Sequence, residues 1–209
     1  MGKFITLEGG EGCGKSTQAA ILADRLERLG FTVRRVREPG GTRLAELVRG
    51  LLKDEREDPP CDRAELLLFL AARAQLVEKV IRPALASGDW VVSDRFSDST
   101  FAYQGYGRGM DLDVIKTANA FACADLAPDL TLLLDVPPEV AASRMRRREH
   151  ATQTEADRIE LAGERFHARL REGFEALAAA EPGRIIKIDA AGRPEDVAEG
   201  IWNQVKRFL

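Results

Sequence analysis

A chain of 209 residues, 44% of them hydrophobic, suits one α/β domain of ordinary size rather than two. Its 34 acidic residues nearly balance 31 basic ones, and the net charge of -3 excludes a surface built throughout for nucleic acid, so any anion site must be local. No apolar run reaches membrane-spanning length, and Cys13, Cys61 and Cys123 form no CxxC pair, so the expectation is a cytoplasmic protein with unpaired thiols and no zinc site.

Short β-rich runs alternate with longer helical patterns along the chain. FITLE, TVRRV, WVVSD, LTLLLD and RIIKID read as five strands, and the helical stretches between them imply βαβ units and a parallel sheet with helices on both faces. FITLE is also why the match of MGKFIT to a loose N-myristoylation pattern is discounted: a buried first strand could not release its amino end. Leu22, Leu26 and Leu29 recur at helical spacing between Lys15 and Gly30. A second helix is expected over Leu44 to Leu52. A third, over Asp62 to Ala86, has Asp62 as its N-cap and Leu66, Phe69, Leu70, Leu76, Val77, Val80 and Ile81 on one stripe. Further helices fit Asp113 to Ala124, Pro138 to Arg148, Glu155 to Ala180 and Pro194 to Phe208, with the polar, aperiodic Glu149 to Thr154 expected as a mobile loop.

Gly9, Gly14, Lys15 and Ser16 fit the phosphate-binding pattern G-x-x-x-x-G-K-[ST], and they lie where its physics requires, after a strand and at the start of a helix. Glycines let the backbone curl its NH groups inward at phosphate oxygens, and the helix N-terminus adds positive potential. The stretch Gly9, Gly10, Glu11, Gly12, Cys13, Gly14, Lys15, Ser16 and Thr17 is therefore the candidate ATP-binding turn, with Lys15 reaching the β and γ phosphates and the Ser16 hydroxyl on Mg²⁺. The N-K-x-D guanine signature is missing from the sequence. Asp94 and Arg95 end the third strand, at the carboxyl edge where α/β sheets bind ligands; the acid could organise Mg²⁺ and the arginine clamp a second phosphate.

LEGGEGCGKSTQ, REPGGT, LFLAARAQ, SDRFSDSTFAYQGYGRG and DRIE, in this order, resemble thymidylate kinase, and the closing IDAAGRPEDV is similar to that family's last strand and adenine-side loop. The resemblance implies the P-loop nucleoside monophosphate kinase fold over residues 1–209, a five-stranded parallel sheet of order 2-3-1-4-5 with helices on both faces, and a mobile lid at about 144–158. It implies transfer of the ATP γ-phosphoryl group to dTMP with Mg²⁺, no nucleic-acid or membrane partner, and a homodimer. A different P-loop nucleotide or nucleoside kinase, or a nucleotide-dependent switch ATPase, is the alternative.

Arg73 interrupts the apolar stripe of the third helix, and a guanidinium aimed into a core needs a partner. From the residues alone, a snorkelling arginine or an internal ion pair would account for it. The resemblance instead assigns Phe69 to stacking on thymine, Arg73 to thymine O4 and Thr100 to N3. It puts Tyr103 under the sugar with Gln104 beside it, Glu11 at the 3′-hydroxyl, and Arg95 and Arg49 on the dTMP phosphate above a turn shaped by Glu38. It places Arg144 against adenine. The phosphate loop has no arginine of its own, so the resemblance is to members whose catalytic arginine lies in the lid: Arg146, Arg147, Arg148 or Arg158. His150 and His167 fall in no nucleophile pattern, and a 5′-phosphate with a second pKa of about 6 needs no base to deprotonate it.

Overall fold

The computed structural model describes residues 2–53, 59–152 and 163–209, with no account of the side chains of 149–152. β1 (Phe4–Glu8) is buried along its whole length between two parallel neighbours, β3 (Trp90–Asp94) and β4 (Leu130–Asp135), which is why it reads as an almost unbroken apolar run. β2 (Val33–Arg37) lies outside β3 and β5 (Ile185–Asp189) outside β4, giving the order β2-β3-β1-β4-β5, all parallel. The chain steps away from β1 in both directions, so the crevice at the carboxyl ends of β1, β3 and β4 is the switch point of the sheet. Leu7 pairs with Asp94 on one side and Leu132 on the other, which brings Glu8, Asp94 and Leu133 to that edge.

Alternation sorts the strand side chains onto two faces. Ile5, Leu7, Val92 and Leu132 pack with Leu22 and Leu26 of α1 (Lys15–Arg28) and with Val197, Ile201 and Val205 of α9 (Pro194–Val205). Phe4, Val36 and Val91 face the other way, against Leu76, Val77, Ile81 and Phe96. Thr6 and Glu8 share that second face and are fully buried there.

α2 (Arg43–Lys53) packs on α3 (Asp62–Leu76), which passes through a π-helical turn, Val77–Ile81, directly into α4 (Arg82–Ala86). The single helix expected over Asp62 to Ala86 is thus one continuous path with an inserted residue that the hydrophobic stripe does not announce. Asp62, expected as the N-cap, is the first helical residue; Cys61 occupies the cap without a side-chain bond. α5 (Ser97–Thr100) leads through a second π-helical stretch, Phe101–Gly107, to α6 (Leu112–Cys123), which is capped by Asp111 accepting the Asp113 and Val114 amides.

α7 (Pro138–Thr152) corrects the sequence expectation of a loop from Glu149: the helix runs on through Thr152, because a polar surface without glycine or proline does not stop it. α8 (Glu164–Ala180) follows, and residues 153–162, including Arg158 and the first part of the helix expected from Glu155, lie outside the described residues. All three cysteines are free thiols. Among the described residues no helix is long and apolar enough to cross a membrane.

Candidate active site

The phosphate loop leaves β1 at Gly9 and enters α1 at Lys15, and its glycines at positions 9, 12 and 14 all hold positive φ. Two of them also have no room for a side chain: a Cβ would lie 2.4 Å from the Leu134 carbonyl at Gly9 and 2.6 Å from the Ala141 carbonyl at Gly12. The loop is therefore seated against β4 on one side and α7 on the other. Lys15 is buried and donates to the Gly10 carbonyl at 2.6 Å, closing the loop over its own base. Ser16 donates to Asp94 at the end of β3, so a hydroxyl and a carboxylate meet at the mouth of the loop. Among the described residues no three His, Cys, Asp or Glu side chains converge as a metal cage. One hydroxyl and one carboxylate suit a hard cation that takes its other oxygens from phosphates and water.

A cavity of ≈ 500 Å³ opens from this point along the carboxyl edge of the sheet. Lys15, Ser16 and Thr17 line one end; Phe69, Arg73, Thr100 and Gln104 line the other. Arg49, Arg95, Arg144 and Arg148 border the space between. Arg95 stands at φ +73, in the left-handed region, and donates to the Gly9 carbonyl at 3.0 Å and to Glu11 within the loop. The Tyr103 hydroxyl donates to the same Glu11 oxygen at 2.9 Å. Burial alone would raise the Glu11 carboxyl, but the charges of Arg95 and Lys15 outweigh it and hold the group at about 2.

At the far end Arg73 is 1% exposed and has a partner for every N–H. Nε and Nη2 donate to Glu38 Oε2 at 2.8 and 2.6 Å, Nη1 to Thr100 and Asn119 at 2.7 and 2.6 Å, and Nη2 to the Phe96 carbonyl at 3.1 Å. Burial opposes its charge, yet Glu38 more than compensates and keeps the guanidinium protonated. Glu38 Oε1 is buried without a hydrogen-bond partner among the described residues, an acceptor left over at the edge of the cavity.

One cavity thus joins a phosphate-loop turn to a second group of arginines along the carboxyl edge of the sheet. The family model for thymidylate kinase matches residues 7–201. The chain belongs to the thymidylate kinase family. It is 53% identical over 206 residues to the thymidylate kinase of Synechococcus sp. (strain JA-3-3Ab), covering 99% of this chain and 96% of that one. It is 50% identical to that of Solidesulfovibrio magneticus, covering 99% and 100%. The crystal structure of thymidylate kinase from Ehrlichia chaffeensis superposes with a TM-score of 0.77 at 34% identity, over 98% of both chains.

Within this thymidylate kinase family member the predicted residues divide between two cavities. Most share the first, but Gly9, Gly10 and Cys13 line a second one of ≈ 670 Å³ between α7 and α8, as does Arg146. Glu11 borders both. Arg148 faces the phosphate loop and adds to the charges that lower Glu11. Arg144 donates to the carbonyls of Ala190, Ala191 and Gly192, so it sits on the loop after β5. Arg49 donates to the Pro39 carbonyl at 3.1 Å, below the same cavity. Sequence reasoning assigned no role to Asn119, which carries no motif, to Ser99, although it lies within SDRFSDSTFAYQGYGRG, or to Glu8, for which a signal existed: a carboxylate closing an apolar strand.

Proposed function

We propose that this member of the thymidylate kinase family transfers the γ-phosphoryl group of ATP to the 5′-phosphate of dTMP, giving dTDP and ADP. The observation that carries the reading is the single cavity that joins a phosphate loop to a second pocket, with Arg95 between them and Phe69 and Arg73 at its end. ATP would lie with its phosphates on the loop and its base toward Arg144 and the 190–192 carbonyls. Thr17 follows Ser16 on the first turn of α1, where its amide joins the donors at the helix N-terminus.

The acceptor phosphate is largely dianionic at neutral pH, with a second pKa of about 6, so attack on the γ-phosphorus needs no general base. What the chain must do is hold two anions in line and offset the charge that spreads over the transferred group. Lys15 would leave the Gly10 carbonyl for the β and γ oxygens. Arg95 would exchange its bond to Glu11 for the dTMP phosphate, with Arg49 on the opposite side and Glu11 freed toward the sugar. Ser16 and Asp94 would hold Mg²⁺, which when bound neutralises phosphate charge and orients the γ group.

At the base end Phe69 would stack on thymine, Tyr103 lie under the sugar and Gln104 line the pocket. Thr100 accepts from Arg73 with one lone pair, and its second lone pair can accept the thymine N3–H. For Arg73 to donate to thymine O4 it must share one of its five bonds, and the longest, to the Phe96 carbonyl, is the one to yield. Glu38 Oε1 completes the polar set at that end.

A homodimer is part of the proposal. Leu47 on α2, Leu67 on α3 and Phe121 on α6 are 64%, 64% and 90% exposed, and these helices pack side by side. A second copy laid on that face would cover them. A cytoplasmic location is supported by the three free thiols.

ADP release with ATP and Mg²⁺ across a panel of nucleoside monophosphates tests the activity. Stimulation by dTMP well above that by dCMP, dAMP and dGMP is expected. ATP hydrolysis indifferent to all of them would point instead to a switch ATPase.

A further inference from the structure

Glu8 closes β1 with its side chain on the face it shares with Phe4 and Thr6, and it is 0% exposed. Its oxygens are spent on one short segment. Oε1 accepts the Phe96 amide at 2.7 Å and the Ser99 amide at 3.2 Å, and Oε2 accepts the Ser99 hydroxyl proton at 2.6 Å.

That segment begins with Arg95, the residue in the left-handed region, where an L side chain crowds its own backbone. The conformation persists because its surroundings determine it. The Arg95 amide donates to the Leu7 carbonyl at 3.0 Å, its carbonyl accepts from Ser93 Oγ at 2.6 Å, and Glu8 captures the amide that follows it. The side chain is reached as well. A serine hydroxyl has one proton, and Ser99 gives it to Glu8, leaving a lone pair that accepts from Arg95 Nη1 at 3.2 Å. A directed path runs from the Arg95 guanidinium through Ser99 to Glu8.

α5 has an anchor independent of Glu8. Asp98 accepts two bonds from Arg184, at 2.7 and 2.8 Å, and one from Thr131 at 3.1 Å, while Thr131 pairs with Thr6 at 2.8 Å across β1 and β4. Neutralising Glu8 therefore leaves the segment docked while loosening its grip on Arg95.

We infer that Glu8 is a positioning residue for Arg95: by holding the Phe96 and Ser99 amides and aiming the Ser99 hydroxyl, it sets the conformation from which Arg95 reaches the acceptor phosphate. The inference rests on the reading of Arg95 as the acceptor clamp. Burial first, then the Asp98 carboxylate, push Glu8 up to about 7 against Arg95 and the hydrogen bonds from Ser99 and Phe96. The charged groups acting on it are Asp98 from α5, Arg95 from the turn after β3 and Arg73 from α3, with Arg184 behind Asp98. Only the carboxylate accepts all three bonds, so the grip weakens as the group takes up a proton.

The test compares wild type with Glu8→Gln and Ser99→Ala, each checked for cooperative thermal unfolding; Ser99→Ala deletes a single oxygen and keeps the inference falsifiable if the glutamine is not accommodated. Both variants should lose about tenfold or more in kcat/KM for dTMP, with KM for ATP within about twofold, and the double variant should be no worse than the worse single one. The ratio of wild type to Glu8→Gln, in which the ionisation of dTMP cancels, should shrink as pH falls through 7. Unchanged dTMP kinetics, an equal loss for ATP, or a ratio independent of pH would overturn the inference. In ligand-free protein, the Phe96 and Ser99 amide and Arg95 Nε–H proton resonances should move in Glu8→Gln. If they stay in place, Glu8 does not hold Arg95. If they move in an enzyme whose wild type ignores dTMP, the functional reading fails while the hold of Glu8 on Arg95 stands.

Discussion

The Arg95 guanidinium donates to the Glu11 carboxylate, joining the turn after β3 to the middle of the phosphate loop. The phosphate loop and the β3 edge of the cavity are thus tied together by charge.

That pair makes stability depend on acid. Glu11 drops from an ordinary 4.5 to about 2, burial being overcome by Arg95, Lys15 and the Tyr103 hydroxyl. A group whose folded pKa is depressed stabilises the fold fully above its unfolded value and loses that contribution as pH falls through the folded one, here between about 4.5 and 2. Comparing urea unfolding of wild type and Glu11→Gln from pH 6 downward, the gap should narrow below pH 4.5, by about 3 kcal/mol in all. A gap that does not change with pH would mean that ionised Glu11 has no favoured place in the fold.

Arg73 and Glu38 form a buried ion pair, with side chains 2% and 5% exposed. Removing one partner strands the other, so Arg73→Ala should destabilise by about 3 to 5 kcal/mol. Pairing Arg73→Met with Glu38→Gln should restore most of that loss and still leave KM for dTMP raised. Full recovery of dTMP binding in the double variant would show that the arginine is a structural residue only.

The arginines at the end of α7 point into different spaces, Arg148 toward the phosphate loop and Arg146 toward the cavity between α7 and α8. Arg148→Ala should cut kcat by about a hundredfold with dTMP affinity nearly unchanged, the pattern of a contact made in the transition state. Arg146→Ala should stay within about threefold, as solvated charges do. The reverse ranking would reassign the lid charge.

Charge on the exposed apolar face should keep two copies apart. Sedimentation of wild type should give twice the 23.0 kDa of one chain. Leu67→Glu with Phe121→Glu should give the mass of one. A wild type that sediments as a single chain would remove the dimer from the proposal.

The phosphate loop was legible from sequence because its chemistry demands fixed spacing within one turn, and the strands because burial on both faces leaves apolar runs. TVRRV slid by one residue: β2 is an edge strand in which only Val36 is fully buried, so alternation marks its position poorly. Asp62 resembled a cap, but cap residues are set by backbone angles one residue either way, and Cys61 took the place. That Arg73 needs a partner was legible; that the partner is Glu38, 35 positions earlier, was not, since the pairing is made by the packing of α3 against the end of β2. Glu8 looked like the polar end of a strand, and its role emerges only where the turn after β3 folds back over it.

α7 is pinned twice near its start, where the Gly12 turn abuts Ala141 and where Arg144 grips the 190–192 carbonyls. Arg148 lies four residues past the second pin, about 6 Å along the axis at 1.5 Å per residue. On so short a lever, a tilt of about 10° at the pivot carries the arginine's backbone only about 1 Å. If Arg148 meets the transition state as proposed, a misplacement of about 1 Å would already be worth roughly a hundredfold in rate. The grip of Arg144 on the 190–192 carbonyls would therefore set the tolerance to which Arg148, in its proposed role, is delivered.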